Sequence, residues 1–289
     1  MITLTNEILS VAITPKGAEL QSIYSKQTGL EYLWDGNPYF WPKQSPTLFP
    51  IVGGLKNGYY EYKGKQYEMG RHGFTREIVF NVTDQTDDAV TLSIQSSEET
   101  LKTYPFAFKF SLKYAIVGNT LSVTYMVENP SSEILYFSVG AHPAFNVPLV
   151  KGDVYNDYYL VFNAIETVGI YPLSANGLVE LHTIPLLENT NQLQLTKELF
   201  YKDALIFKEL QSTAISILNT KNSHGLKFSY QDFPYMGIWS AKNADFVCIE
   251  PWCGIADNVA TTGKFDEKEG INRIGENETF TRTWSVAMF

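Results

Sequence analysis

Apolar and polar residues alternate with a period of two from one end of this chain to the other, and no other feature limits its possible folds as strongly. The pattern is plain in VTLSI at 90–94, FKFSLKY at 108–114, LSVTYMV at 121–127 and AISIL at 214–218. Successive side chains of a strand point to opposite faces, so each run reads as a half-buried strand. Helical periodicity is nearly absent. Turn residues separate the runs: Lys63-Gly64 and Gly118-Asn119 suit the positive backbone angles of tight hairpins. The three prolines of NPYFWPKQSP at 37–46 allow a single helical turn at most. Tyr and Phe, 18 of each, fit a pleated surface better than a helix interior. An all-β fold, an antiparallel sandwich or barrel, is expected. No linker, repeat or shift of composition marks a boundary, so residues 1–289 are expected to form a single domain.

Composition narrows the partners. With 44% apolar and 18% charged residues the chain can bury a substantial core. A net charge of −9 argues against nucleic acid, whose phosphates are bound by clustered Lys and Arg. Cys248 and Cys253 have neither a disulfide framework nor zinc-finger spacing around them, so reduced thiols and no metal are expected. There is no P-loop or dinucleotide fingerprint, and no cofactor is expected. The start, MITLTNEILS, has no basic and apolar leader, and no run of about eighteen apolar residues occurs. A cytoplasmic protein without a membrane partner is the expectation, as a monomer or homodimer.

Three segments carry candidate chemistry. In GRHGFTRE at 70–77, His72 is bracketed by Arg71 and Arg76, a cationic donor set suited to an oxygen-rich ligand, although the same residues would also serve a solvated hairpin turning at Gly73. In SVGAHPAF the alternation puts Ser138, Gly140 and His142 on one face. Pro143 then ends regular pairing, and the small residues before His142 are expected to leave room for a ligand. In DFVCIEPWCGIAD at 245–257, Phe246, Cys248 and Glu250 share one face of an apolar strand, where a carboxylate is costly unless paired or used. Burial would raise its pKa and a cationic neighbour would lower it; the sequence leaves that balance open. Trp239, Trp252, Tyr235 and Phe74 lie near these segments and are expected either to face a sugar ring or to fill the core.

Taken together, LFPIVG at 48–53, RHGFTRE, GAHPAF, KDALIF at 202–207, FPYMGIWS at 233–240 and CIEPWCGIAD resemble the aldose 1-epimerase superfamily in order and spacing. GAEL at 17–20 and WDG at 34–36 are similar to its LacX-like branch. The resemblance implies a galactose-mutarotase-like β-supersandwich of about thirty strands in layered antiparallel sheets. It implies Glu250 as general base, His142 as general acid, His72 as a substrate-orienting donor and Asp203 as a binder of sugar hydroxyls. The chain departs from true galactose mutarotases in having GAHPAFN around the acid.

The reaction so implied is interconversion of the α and β anomers of an aldohexose by ring opening. The base and acid are expected on opposite sides of a shallow site. Two alternatives stay open. One is a hexose-6-phosphate mutarotase, since Arg76, with Arg71 or Lys43, offers charge to a phosphate. The other is a carbohydrate-binding or sensor protein of the same fold without turnover.

Overall fold

The computed structural model describes residues 1–289. Its 22 strands pair antiparallel, and eight isolated bridges join further segments. That is fewer strands than the family resemblance implies, because several crossings shrink to a single bridge, as at Leu48 with Gly140 and Phe49 with Gly73.

Alternation sets burial as read. In Thr120–Glu128 every second residue, Leu121 to Val127, is buried. On the outer face Thr124 and Thr283 share a hydrogen bond at 2.8 Å across the register. This strand belongs to a nine-stranded sheet running from the edge strand Ile184–Gln194 to the other edge, Asn81–Gln85. A four-stranded sheet holds the N-terminal residues. A central sheet joins Val139–Gly140, Phe246–Cys253, Tyr235–Trp239 and Leu205–Phe207, with Ala144–Asn146 also paired to Phe246–Cys253.

The central sheet packs on the nine-stranded one through aromatic pairs such as Phe145 with Phe228, centroids 5.8 Å apart, and Phe162 with Phe207, 6.3 Å apart. One apolar cluster of 63 residues runs from Ile2 to Met288. Both expected hairpin turns are present. Lys63 and Gly64 take φ of 49° and 73°, while at 118–119 only Gly118 is positive, at 57°. The proline-rich segment makes one turn, with Trp41 N–H donating to the Asn37 carbonyl at 3.0 Å. The α-helix Glu98–Thr103 is too short for its periodicity to show in the sequence; Ser97 and Thr100 close its capping box.

The strand Phe246–Cys253 is buried along its whole length. Val247, Ile249 and Cys253 enter the large core. Phe246 and Cys248 turn to a smaller cluster with Trp34, and Trp252 to one with Leu48 and Ile206. A polar side chain on that second face therefore meets a cavity wall rather than the sheet-to-sheet core.

Candidate active site

Register brings the histidine and the carboxylate together. Val139–Gly140 pairs Cys253 and Trp252, and Ala144–Asn146 pairs Cys248 to Phe246, in one continuous alignment. The stretch between them places His142 opposite Glu250. Two prolines open the ladder there. Ala141 donates to the Pro251 carbonyl at 3.1 Å and Ile249 to the Pro143 carbonyl at 3.4 Å, but neither proline has an N–H with which to return the bond. His142 Nε2 lies 3.3 Å from Glu250 Oε2. The two groups are neighbours, not residents of opposite walls.

A cavity of about 510 Å3 opens on this pair. Arg71, His72, Arg76, Asp203, Trp239 and Trp252 line it with His142 and Glu250, as does Lys43. Phe74 does not. It turns into the core against Tyr104 and Phe108, because bridging between Phe49 and Gly73 fixes that turn with its aromatic residue inward. Gly73 itself has φ of 72°, and a Cβ there would strike the Phe49 backbone. Tyr235 also misses the cavity and packs beside Trp252 and against Gly270.

His72 is held in a left-handed conformation, φ 68°, by a reciprocal pair with Gly53. Its N–H donates to the Gly53 carbonyl at 2.8 Å, and its Nδ1 accepts the Gly53 N–H at 3.1 Å. A ring that accepts at Nδ1 carries its proton on Nε2 when neutral, which leaves Nε2–H as a donor. Burial, and then His142 and the two arginines, keep its pKa well below the usual imidazole value. Asp203 has φ of 136°, a region that side chains rarely enter, and its carboxylate accepts only the Ala204 N–H, at 2.7 Å. Such local strain concentrates at functional positions.

Burial dominates the central pair. It lowers His142 to about 3, with Arg76 and Arg71 adding to the effect. It raises Glu250 well above the carboxylate range, with Asp203 adding and Arg71 opposing. The direction the sequence left open is therefore upward. For both groups burial acts against the charged form.

Three indoles shape the floor. Trp41 stacks on His142 at 4.9 Å and 26°, and Trp239 meets the same ring edge-on at 5.7 Å. Trp252 occupies the space over Gly140 and Gly237, so the room left by small residues before His142 is taken by an indole and not by ligand. A Cβ on Gly140 would come within 2.6 Å of the Trp252 ring, and one on Gly237 closer still. Gly237→Ala is expected to cost about 1–3 kcal/mol by overpacking and to displace Trp252; thermal unfolding and tryptophan fluorescence would show both.

Sequence reasoning missed Trp41, Lys202 and Lys242 as cavity residues. Trp41 lay in a proline-rich connection with no strand pattern to aim it. Lys43, Arg71, Arg76, Lys202 and Lys242 give the lining five cations against the carboxyls of Asp203 and Glu250, in a chain of net charge −9. Neither Arg71 nor Arg76 forms an ion pair or a side-chain hydrogen bond, whereas Lys43 leans on Glu77 at 3.4 Å.

The chain is similar to known proteins over nearly its whole length. The aldose 1-epimerase family matches residues 1–268. The plasmid-borne Protein LacX of Lactococcus lactis subsp. lactis is 33% identical over 297 residues, covering 99% of each chain. A galactose mutarotase related enzyme from Lactobacillus acidophilus, solved by X-ray crystallography, is 36% identical with a TM-score of 0.95, covering 100% of this chain and 97% of its own. A galactose mutarotase-like protein from Lactobacillus casei ATCC 334 is 31% identical with a TM-score of 0.92, covering 100% of both chains.

Proposed function

The chain belongs to the aldose 1-epimerase family, and from that premise we propose that it interconverts the α and β anomers of an aldohexose. The observation that carries this reading is the His142–Glu250 pair, 3.3 Å apart, at the base of a cavity of sugar size. The anomeric hydroxyl and the ring oxygen are bonded to the same carbon, so two neighbouring groups on one wall can serve both.

Glu250 as carboxylate takes the proton of the anomeric hydroxyl while His142 as imidazolium gives one to the ring oxygen. The ring bond breaks, C1–C2 rotates, and the ring oxygen attacks the other face of the aldehyde. On closure each group reverses, so both return to their starting protonation. Burial favours the neutral form of the pair; Arg71 draws Glu250 towards carboxylate, and the hydroxyls of a bound sugar add hydrogen bonds to the charged forms. His72 Nε2–H and Asp203 orient the remaining hydroxyls, while Trp239 and Trp252 offer apolar faces to the ring.

Exchange NMR on a panel of aldoses tests the reading. Acceleration of anomer exchange above the buffer rate is expected; saturation transfer without acceleration would instead identify a binding or sensor protein.

The two unpaired guanidiniums favour a second reading in which the aldose carries a phosphate. Cations held at a cavity without partners suit a dianionic ligand. On that reading glucose 6-phosphate or galactose 6-phosphate is turned over better than the free sugar, and Arg76→Ala raises KM for the phosphorylated substrate by about 10- to 100-fold. Equal rates on free and phosphorylated sugars, unchanged by Arg76→Ala, would discard it.

A further inference from the structure

We propose that the floor of the cavity is also a binding site for a thiophilic divalent cation, zinc above all, on His142, Cys248 and Glu250. Bound there, the ion blocks the sugar site. Binding rests on geometry alone; inhibition rests additionally on the mutarotase reading.

An imidazole nitrogen, a thiol sulfur and a carboxylate oxygen from these three buried residues lie within 4.8 Å of one another. Sheet geometry accounts for it. Cys248 and Glu250 are two apart on one face of the strand Phe246–Cys253, and His142 is across from Glu250 and diagonal to Cys248. Zinc bonds of 2.0–2.3 Å put the ligand atoms of a tetrahedral site about 3.3–3.8 Å apart. His142 and Glu250 already stand at 3.3 Å, so only the sulfur has to close in, by roughly 1 Å.

The chemistry also fits. Nitrogen, sulfur and oxygen together form a zinc donor set. A thiolate and a carboxylate cancel the charge of a dication, so the buried complex is neutral and avoids the penalty of an uncompensated charge. The thiol proton leaves as the metal enters. Arg71 and Arg76 oppose a cation nearby, and the two anionic ligands offset them. Cys248 is a buried free thiol to which the proposed mutarotation gives no role. His142 and Glu250 both line the cavity, with Cys248 behind them beside Trp34, so an ion held by the three withholds from a sugar the two groups proposed to serve it.

Cobalt, a spectroscopic stand-in for zinc, reports the site directly. Titration of the intact chain is expected to give a thiolate-to-cobalt charge-transfer band saturating at one equivalent and erased by zinc. Cys248→Ala should lose that band, and its anomer interconversion should resist zinc concentrations that silence the parent chain. Cys248→Ser, which keeps the thiol's shape, should behave alike and covers the case of an alanine variant that does not fold. Absence of the band in the parent chain, its persistence in the variants, or equal inhibition of parent and variants by zinc would overturn the proposal. A cobalt band in a chain that shows no mutarotation would support the site and count against the mutarotase reading alone.

Discussion

Glu250→Gln is expected to slow anomer interconversion by about 10²- to 10⁴-fold, the contribution of one general acid-base group, with sugar binding and thermal stability close to those of the parent chain. The amide keeps the shape of the carboxyl, and burial already favours the uncharged form at this position, with Glu250 only 2% exposed. Replacement by a neutral isostere therefore leaves no new unpaired charge. What is lost is the ability to take a proton from the anomeric hydroxyl. Polarimetry gives the rate, saturation-transfer NMR the binding, and a thermal melt the stability. Rates within a few-fold of the parent would remove Glu250 from the reaction. A matching collapse in the melt would instead give it a structural part.

Lys268→Met is expected to lower folding stability by about 3–5 kcal/mol, the cost of breaking a buried ion pair from one side. Lys268 Nζ and Asp257 Oδ1 are 2.7 Å apart with side chains 2% and 4% exposed. Burial lowers the Lys268 pKa and Asp257 opposes it, so the ammonium depends on the carboxylate for its charge. Without the ammonium the Asp257 carboxylate keeps only the Lys56 N–H, at 2.9 Å. Urea unfolding measures the loss, and adding Asp257→Asn should recover most of it by removing the stranded charge. A loss under about 1 kcal/mol would mean that water reaches Asp257. The pair also bears on the site. The Asp257 backbone N–H donates to the Gly54 carbonyl at 3.0 Å, and its carbonyl accepts from Val179 at 2.9 Å. These bonds tie together two segments beside the cavity, one of them carrying Gly53, which orients His72.

Charge placement changes how the acidity of the chain is understood. A net charge of −9 argues against polyanionic partners at the level of the whole surface, yet the cavity lining reverses that sign locally. Composition averages over a surface, whereas a ligand meets one patch of it. This is why the phosphate reading gains from the structure although the sequence offered only Arg71, Arg76 and Lys43 in its favour.

By itself the sequence determined the strands, because alternation is a local property: each residue's face follows from its neighbours along the chain. It determined the hairpin at Lys63-Gly64, the break at Pro143, and the sharing of one strand face by Phe246, Cys248 and Glu250. The family motifs carried His72, His142, Asp203 and Glu250 to one cavity. The tertiary structure alone decided which groups touch. Register across the strands set His142 beside Glu250 and diagonal to Cys248, filled the space above Gly140 with Trp252, and turned Phe74 inward. The path of a proline-rich loop laid Trp41 on the imidazole. Those relations join residues far apart in the chain, and their energies come from packing and desolvation, which no local pattern of residues encodes.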